Sequence, residues 1–309
     1  MAKIKNATFR QLQVFESIAR NGSFTAAANE LYLTQPTISV QIKKLTDVVG
    51  MPLFEQMGKK IYLTMVGKRL LETCHSVFQS LDNFEMNVAD IKGIKEGTLK
   101  LSGVTTVEYF APRIIGGFCK KYPGIKVSLE VINRRMVLDR LKSNLDDIYI
   151  CGKVSPDLKV DDTLFLENPL VILAEPNHPL AGEKNIPIEA LENEQFIMRE
   201  EGCGTYLALD KLTGDKGIHF KSSMELGSNE AIKQAVMSGL GISMLSLYAL
   251  THELQAGELV ILDVEGFPYE DAWHIIYPSG KKLSVVAQAF FDYLLLEGRS
   301  LTQENLAAY

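Results

Sequence analysis

The chain has 309 residues, 46% of them hydrophobic, enough for two or three domains with sizeable cores. Its net charge of −6 hides an asymmetry: residues 1–70 carry ten Lys/Arg against four Asp/Glu, and the rest is acidic. A basic head on an acidic body fits a polyanion-binding module joined to something else, and no apolar run approaches the roughly 18 residues of a membrane span.

MAKIKNATFR lacks the apolar stretch of a secretory signal, so a cytoplasmic protein is expected. Thr8 to Arg20 reads as a helix with Leu12, Phe15, Ile18 and Ala19 on one face. Ser23 is a good N-cap for the next, whose small apolar face is Ala26, Ala27 and Leu31. Leu33 and Thr34 break that pattern. Pro36 sits where a first helical turn tolerates proline, so Thr34 or Gln35 caps a third helix. Its buried stripe is Ile38, Ile42 and Leu45, and its other face shows Gln35, Thr37, Ser39, Gln41, Lys43 and Lys44. Hydroxyls and amides near a helix start, with lysines farther along, suit base edges and phosphates of a major groove. The pattern alone also fits an ordinary amphipathic helix pair; the charge asymmetry favours DNA.

MPLFEQMGKKIYLT reads as a hairpin wing with a Gly58-Lys59-Lys60 tip, where Lys59 and Lys60 either reach phosphates or line a solvated turn. From Met65, the residues Leu70, Cys74, Val77, Leu81, Phe84, Val88 and Ile91 alternate four and three apart, a heptad seam. Thr64 caps this long helix and Gly93 stops it. A second copy of the chain is the expected cover for the seam, and packing on the chain's own body is the alternative.

Beyond Gly97 strands and helices alternate, which predicts a mixed or parallel α/β body of two lobes with a cleft at strand carboxyl ends. TLKLSGV is the first strand, followed by a helix from about Val107 to Lys121, the strand IKVSLEVI, the helix MVLDRLKSN and the buried strand DIYIC. A second unit begins near Leu166, and WHIIYP with the helix after it returns to the first sheet. Three helix starts offer N–H groups and hydroxyls to an anion: Thr105-Thr106 with Val107, Gly202-Cys203-Gly204-Thr205, and Ser228-Asn229-Glu230. Arg134 and Arg135 add a charged fork, although each helix start taken singly also fits plain capping.

Catalysis finds little support. The five histidines show no metal spacing, Gly239-Leu240-Gly241 lacks a third glycine, and Cys203 has no histidine near it in sequence. The four cysteines, Cys74, Cys119, Cys151 and Cys203, show no CxxC pair and suit a reducing compartment.

The first 70 residues, from FRQLQVFESIARNGSFTAAANELYLTQPTISVQIKKL to the wing, closely resemble the winged helix-turn-helix of LysR-type transcriptional regulators. The resemblance runs nearly end to end. It implies a winged helix-turn-helix over 1–63, a coiled-coil linker helix over 64–93 and a two-lobed effector domain like periplasmic binding proteins. Its first lobe spans 94–165 and 268–309, and its second 166–267. DNA contact falls by resemblance on Gln35, Pro36 and Ser39, and effector contact on Thr105 and Thr106. Two common family arginines are absent: Val40 follows Ser39, and Gln56 follows Glu55. GVTTVEYFAPRIIGGF, REEGCGTYLALDKL and FPYEDAWHIIYPSGKKLSVVAQAFFDYL are similar to regulators of RuBisCO and Calvin-cycle operons. Those resemble activators tuned by small phosphorylated or carboxylate metabolites. Tyr206 and Tyr269-Glu270-Asp271 depart from that pattern by removing positive charge.

The resemblance thus implies a regulator that binds promoter DNA as a homodimer, pairs into a tetramer and senses a small anionic metabolite. RNA polymerase is a candidate further partner, and no cofactor is expected. The alternative from another class is a cytoplasmic solute-binding module acting through protein contacts.

Overall fold

The protein, here a computed structural model, is described over residues 4–57, 60–91, 96–214 and 217–303. It divides into two compact units, Met1–Glu85 and Met86–Tyr309.

In the first unit α1 (Phe9–Asn21) opens on a capping box: the Thr8 hydroxyl accepts the Gln11 N–H, and the Gln11 side chain accepts the Thr8 N–H. Next comes α2 (Phe24–Glu30), whose start is held by the Ser23 hydroxyl accepting from the Ala26 N–H at 3.3 Å. Tyr32 then takes a left-handed φ of 54°, turning the chain into α3 (Gln35–Val49). Val14, Phe15, Ile18, Ala27, Ile38, Ile42 and Leu45 close a core between the three helices. The wing pairs β1 (Phe54–Met57) with β2 (Lys60–Leu63) antiparallel. At the head of α4 (Met65–Ile91), the Thr64 hydroxyl accepts the Gly67 N–H at 3.0 Å.

Leu70 and Cys74, the first two residues of the expected seam, belong to the head's own core. The heptad pattern could not separate that burial from burial against a second chain. Val77, Leu81 and Phe84 are 37%, 44% and 64% exposed. The side chains of Val88 and Ile91 lie outside the described residues.

In the second unit, β3 (Gly97–Val104) runs into a 3-10 turn, Thr105–Tyr109, before α5 (Ala111–Lys121). The expected helix from Val107 therefore starts four residues late. Pro112 belongs in a helix's first turn, and that fixes where α5 begins. There follow β4 (Ile125–Ile132), α6 (Arg134–Lys142) capped by Asn133, and β5 (Ile148–Gly152). The long β6 (Val160–Ala174) leads into the second lobe. That lobe holds β7 (Gln195–Arg199), α7 (Gly204–Gly214), β8 (Lys221–Leu226), α8 (Asn229–Met237), β9 (Ser243–Ser246), α9 (Thr251–Ala256) and β10 (Val260–Ile261). The chain returns through β11 (Tyr269–Pro278) and ends in α10 (Val285–Tyr293), a π-turn and α11 (Arg299–Gln303).

One seven-stranded sheet runs β10-β6-β11-β5-β3-β4, with β9 also on β6. β3 lies parallel to β4 and β5, as the alternating pattern predicted. The last strand does return to the first sheet, slotting antiparallel between β5 and β6. The two lobes are therefore joined through β6, which pairs with β11 along most of its length and with β9 and β10 at its end. Each lobe has its own core. The first is built round Leu99, Leu101, Phe118, Ile148 and Trp273, the second round Ile172, Ile188, Leu191, Phe196 and Ile242. The second lobe also needs glycine at Gly241, where φ is +148° and a Cβ would stand 2.1 Å from the Gln195 carbonyl. That is the structural reason for the Gly239-Leu240-Gly241 run.

Candidate functional site

Two surfaces carry the expected chemistry. On the head, Thr34, Gln35, Pro36, Thr37, Ser39, Val40 and Lys43 are all exposed. The Thr34 backbone is extended and its hydroxyl lies 2.8 Å from that of Thr37, so no side chain caps α3. Ser23 instead gives its oxygen to the start of α2. Gln56 is exposed on the wing, paired in register with Ile61. Lys59 and the side chain of Lys60 lie outside the described residues. The result is a polar, cationic helix face standing clear of a three-helix core, which is how a helix is offered to a major groove.

In the second unit a narrow pocket is lined from both lobes. Val104 and Thr105 come from the end of β3, Gly152 from that of β5, and Arg199 from that of β7, with Asn133 just past β4. This is the strand-end position where ligands sit in α/β folds. Thr106, Arg134, Cys203, Gly204 and Thr205 line it too, so two of the three predicted helix starts meet there. Arg134 donates to the carbonyls of Gly152 at 3.0 Å and Lys153 at 2.6 Å. Burial pushes the Cys203 thiol above its usual range, against the pull of Arg199, which suits a packed thiol better than a nucleophile.

Other expected residues lie elsewhere. The Val107 side chain is wholly buried in the first lobe's core, filling the space over Gly103. Arg135 is exposed, one helical step round α6 from Arg134, and is not in the pocket wall. Gly202 supplies a left-handed turn at φ +82° and is likewise not in the wall. Asn229 is buried behind the pocket, and Glu230 is bonded outside it. The Glu230 carboxylate accepts from the Tyr109 hydroxyl at 2.7 Å and pairs with Lys233 at 2.7 Å. Lys233, buried, also reaches Glu253 at 2.7 Å and lies 5.4 Å from the Tyr109 ring centroid. Burial alone would lower the Lys233 ammonium, but Glu230 and Glu253 hold it above its ordinary range. Burial would raise Glu230, but Lys233 and Tyr109 outweigh it and leave it lowered. The third helix start thus ties the lobes together.

The residue that sequence reasoning missed is Arg199, 4% exposed. Its fork meets Glu200 side-on at 2.8 and 2.9 Å, bonds Asn229, and reaches the Thr105 hydroxyl across the cleft at 3.4 Å. Its place at the end of a predicted strand, beside the Gly-x-Gly-Thr run, was the available signal. Glu200, Asn168, Asp271 and Trp273 also line the pocket unannounced. Asn168 donates to Asp271 at 3.3 Å, while its own buried carbonyl oxygen has no protein partner. Tyr206 lies outside this pocket, over a second hollow with Met198, Asp210 and Phe220. Of the departures noted above, Asp271 alone lines the pocket. Among the described residues no group of three His, Cys, Asp or Glu is placed to hold a metal, and no helix is long and apolar enough to cross a membrane.

The fold and the two surfaces define a ligand-responsive DNA-binding protein, and comparison gives its family. Residues 9–68 match the bacterial regulatory helix-turn-helix protein, lysR family, and residues 92–298 the LysR substrate binding domain. The chain is 50% identical over 299 residues to the HTH-type transcriptional activator CmpR of Synechocystis, covering 97% of this chain and 98% of that one. It is 45% identical to the RuBisCO operon transcriptional regulator of Acidithiobacillus ferrooxidans, covering 94% of each. The CcmR regulatory domain of Synechocystis PCC6803, solved in complex with 2-PG, superposes at TM-score 0.64 with 46% identity over 67% of this chain and 98% of that one. The chain belongs to the LysR family of bacterial transcriptional regulators. It is a DNA-binding regulator and not an enzyme.

Proposed function

We propose that this regulator controls promoters of carbon-fixation genes in the cytoplasm, in response to a small anionic metabolite held between the two lobes of Met86–Tyr309. The gene class is that named for two relatives at 45% and 41% identity, both RuBisCO operon transcriptional regulators. The observation that carries the effector reading is the convergence of strand ends and two helix starts on one pocket, with Arg134 and Arg199 in its wall. N–H groups at Thr105-Thr106 and Gly204-Thr205 suit a phosphoryl or carboxylate group. Neither reaction nor cofactor is required of such a site.

On the head, Gln35, Pro36 and Ser39 address base edges, and Lys43, Lys59 and Lys60 address phosphates. The exposed Val77, Leu81 and Phe84 pair α4 with that of a second copy, so two heads meet two half-sites. Pairs of dimers then form the tetramer, and contact with RNA polymerase completes activation. Because effector and DNA bias one equilibrium, each must change the affinity for the other.

The test is to titrate the protein with 2-PG and other small phosphorylated and carboxylate anions. Emission of Trp273 in the pocket wall and the footprint on promoter DNA are followed together. A saturable change in both at one concentration is expected; a footprint and emission indifferent to every anion overturn the effector reading. Separately, Gln35→Ala with Ser39→Ala is expected to lower operator affinity by about 1–3 kcal/mol per lost base contact without altering oligomeric state. Unchanged affinity overturns the recognition-helix reading.

A further inference from the structure

We infer that Val40 reads a thymine, by packing its isopropyl group on the 5-methyl in the major groove. The inference rests on the reading of α3 as the recognition helix and adds what one of its residues selects.

The geometry is set by the buried stripe. At about 100° per residue, Val40 lies roughly 170° round α3 from the mean direction of Ile38, Ile42 and Leu45. Those three are at most 8% exposed, whereas Val40 is 51% exposed. It therefore stands at the outermost line of the helix, where groove contact is deepest. Pro36 lies one turn before it on the same line, and Lys43 and Lys44 lie one turn beyond, to either side. Pro36 and Val40 form a short apolar ridge between cationic shoulders. Asp47, two turns on, shares this line and confines close approach to the N-terminal half of the helix.

An exposed valine inside a helix is not a neutral choice. Its branched Cβ restricts χ1 and lowers helix propensity, and here it takes no part in the head's hydrophobic core. In a major groove it can neither give nor accept a hydrogen bond. Facing guanine, adenine or cytosine it would desolvate a polar edge without replacing the lost bonds to water. Thymine alone of the four bases offers an apolar surface there. The basic head and the lysines beside the ridge supply the attraction that holds the helix against the duplex.

The experiment uses the full chain and duplexes enriched by wild-type protein from a randomised library. In the best-bound duplex each thymine is replaced, one at a time, by deoxyuridine, which removes only the 5-methyl group. Wild type is expected to lose roughly three- to fivefold in affinity at one thymine per half-site, the worth of one buried methyl group. Val40→Ala should bind the same duplex more weakly but no longer distinguish thymine from uracil at that position. Lys43→Ala serves as the comparison: it should weaken every duplex alike, flatten the salt dependence, and leave the thymine preference intact. If no thymine is methyl-sensitive in wild type, or if Val40→Ala keeps the full discrimination, the assignment is overturned. If the library yields no enriched sequence, the recognition-helix reading itself fails, a result visible before any thymine is replaced.

Discussion

Removing Arg199 tests whether it is the charged keystone of the pocket. Its fork is 3% exposed and bonds Glu200, Asn229 and Thr105, and the Glu200 side chain is only 23% exposed. Arg199→Met keeps most of the side-chain volume but leaves Glu200 charged and unpaired, and the buried Asn229 carbonyl without its donor. Breaking a buried pair from one side costs about 3–5 kcal/mol. The partial exposure of Glu200 argues for the lower end, so about 3 kcal/mol is expected. Glu200→Gln leaves Arg199 with neutral acceptors and should cost about 1–2 kcal/mol. The double variant removes both charges together and should cost about 2–3 kcal/mol, less than the sum of the singles by about 2 kcal/mol. Urea unfolding read by fluorescence measures this directly. Trp273 is the chain's single tryptophan, 1% exposed, and reports the pocket-bearing unit alone. If the double variant's loss equals the sum of the singles within about 0.5 kcal/mol, the two charges are not coupled and the reasoning is refuted.

Three further outcomes follow from particular residues. Leu81→Glu with Phe84→Glu puts charge on the exposed part of the α4 seam, and sedimentation should show a lower-order species; an unchanged species would show that the seam buries nothing between chains. Gly67→Ala should destabilise the head by about 1–3 kcal/mol, because its Cβ would stand 2.1 Å from the Leu53 carbonyl and cannot be accommodated without backbone movement. A head with unaltered melting would contradict this. Burial pushes the Lys281 ammonium, which donates to the Asp146 carbonyl, down to about 8. Its folded value lies below its unfolded one, so the cost of holding it charged is present below pH 8 and is relieved as pH rises towards 10.5. Denaturation midpoints of wild type should therefore rise, relative to Lys281→Met, between pH 8 and 10, and parallel curves would refute the assignment.

Local signals carried most of the head. The stripe on α3, the Ser23 and Thr64 caps and the turn-flanked wing all depend on residues within a few positions of one another. On α1, by contrast, Gln11, Val14 and Ser17 are buried beside the expected Phe15 and Ile18, and Leu12 and Ala19 are only half-buried. Strand-end logic likewise brought Thr105, Thr106, Arg134, Gly204 and Thr205 to one pocket. What was not legible depends on long-range pairing. Asn168 and Asp271 meet because β6 and β11 pair in that register, 103 residues apart in sequence. Arg199 finds Thr105 across 94 residues. Periodicity also says that a face is buried, and not by what. Leu70 and Cys74 fit the heptad as well as Leu81 does, yet they close the head's own core. Capping carries the same ambiguity: Ser228-Asn229-Glu230 has the composition of an anion site, but its partners are Arg199, Tyr109 and Lys233.

On the effector reading proposed above, those contacts bear on how a bound ligand is felt beyond the pocket. Thr105 and Tyr109 are the two ends of one five-residue 3-10 turn. The first end lines the pocket and accepts from Arg199; the second holds Glu230 and faces Lys233, both on α8 of the other lobe. A ligand that draws Thr105 and Thr106 towards itself, and Tyr109 with them, must either bring α8 along or break the Tyr109–Glu230 bond. Lys233 resists sliding, because it is buried with Glu253 and the Ala249 carbonyl as well as Glu230. Moving α8 therefore exchanges one set of charge-assisted bonds for another instead of stretching them gradually, and packed elements of that kind switch between discrete positions. On that reading, the five-residue turn gives a ligand at Thr105 a short covalent path to a second, buried set of charges.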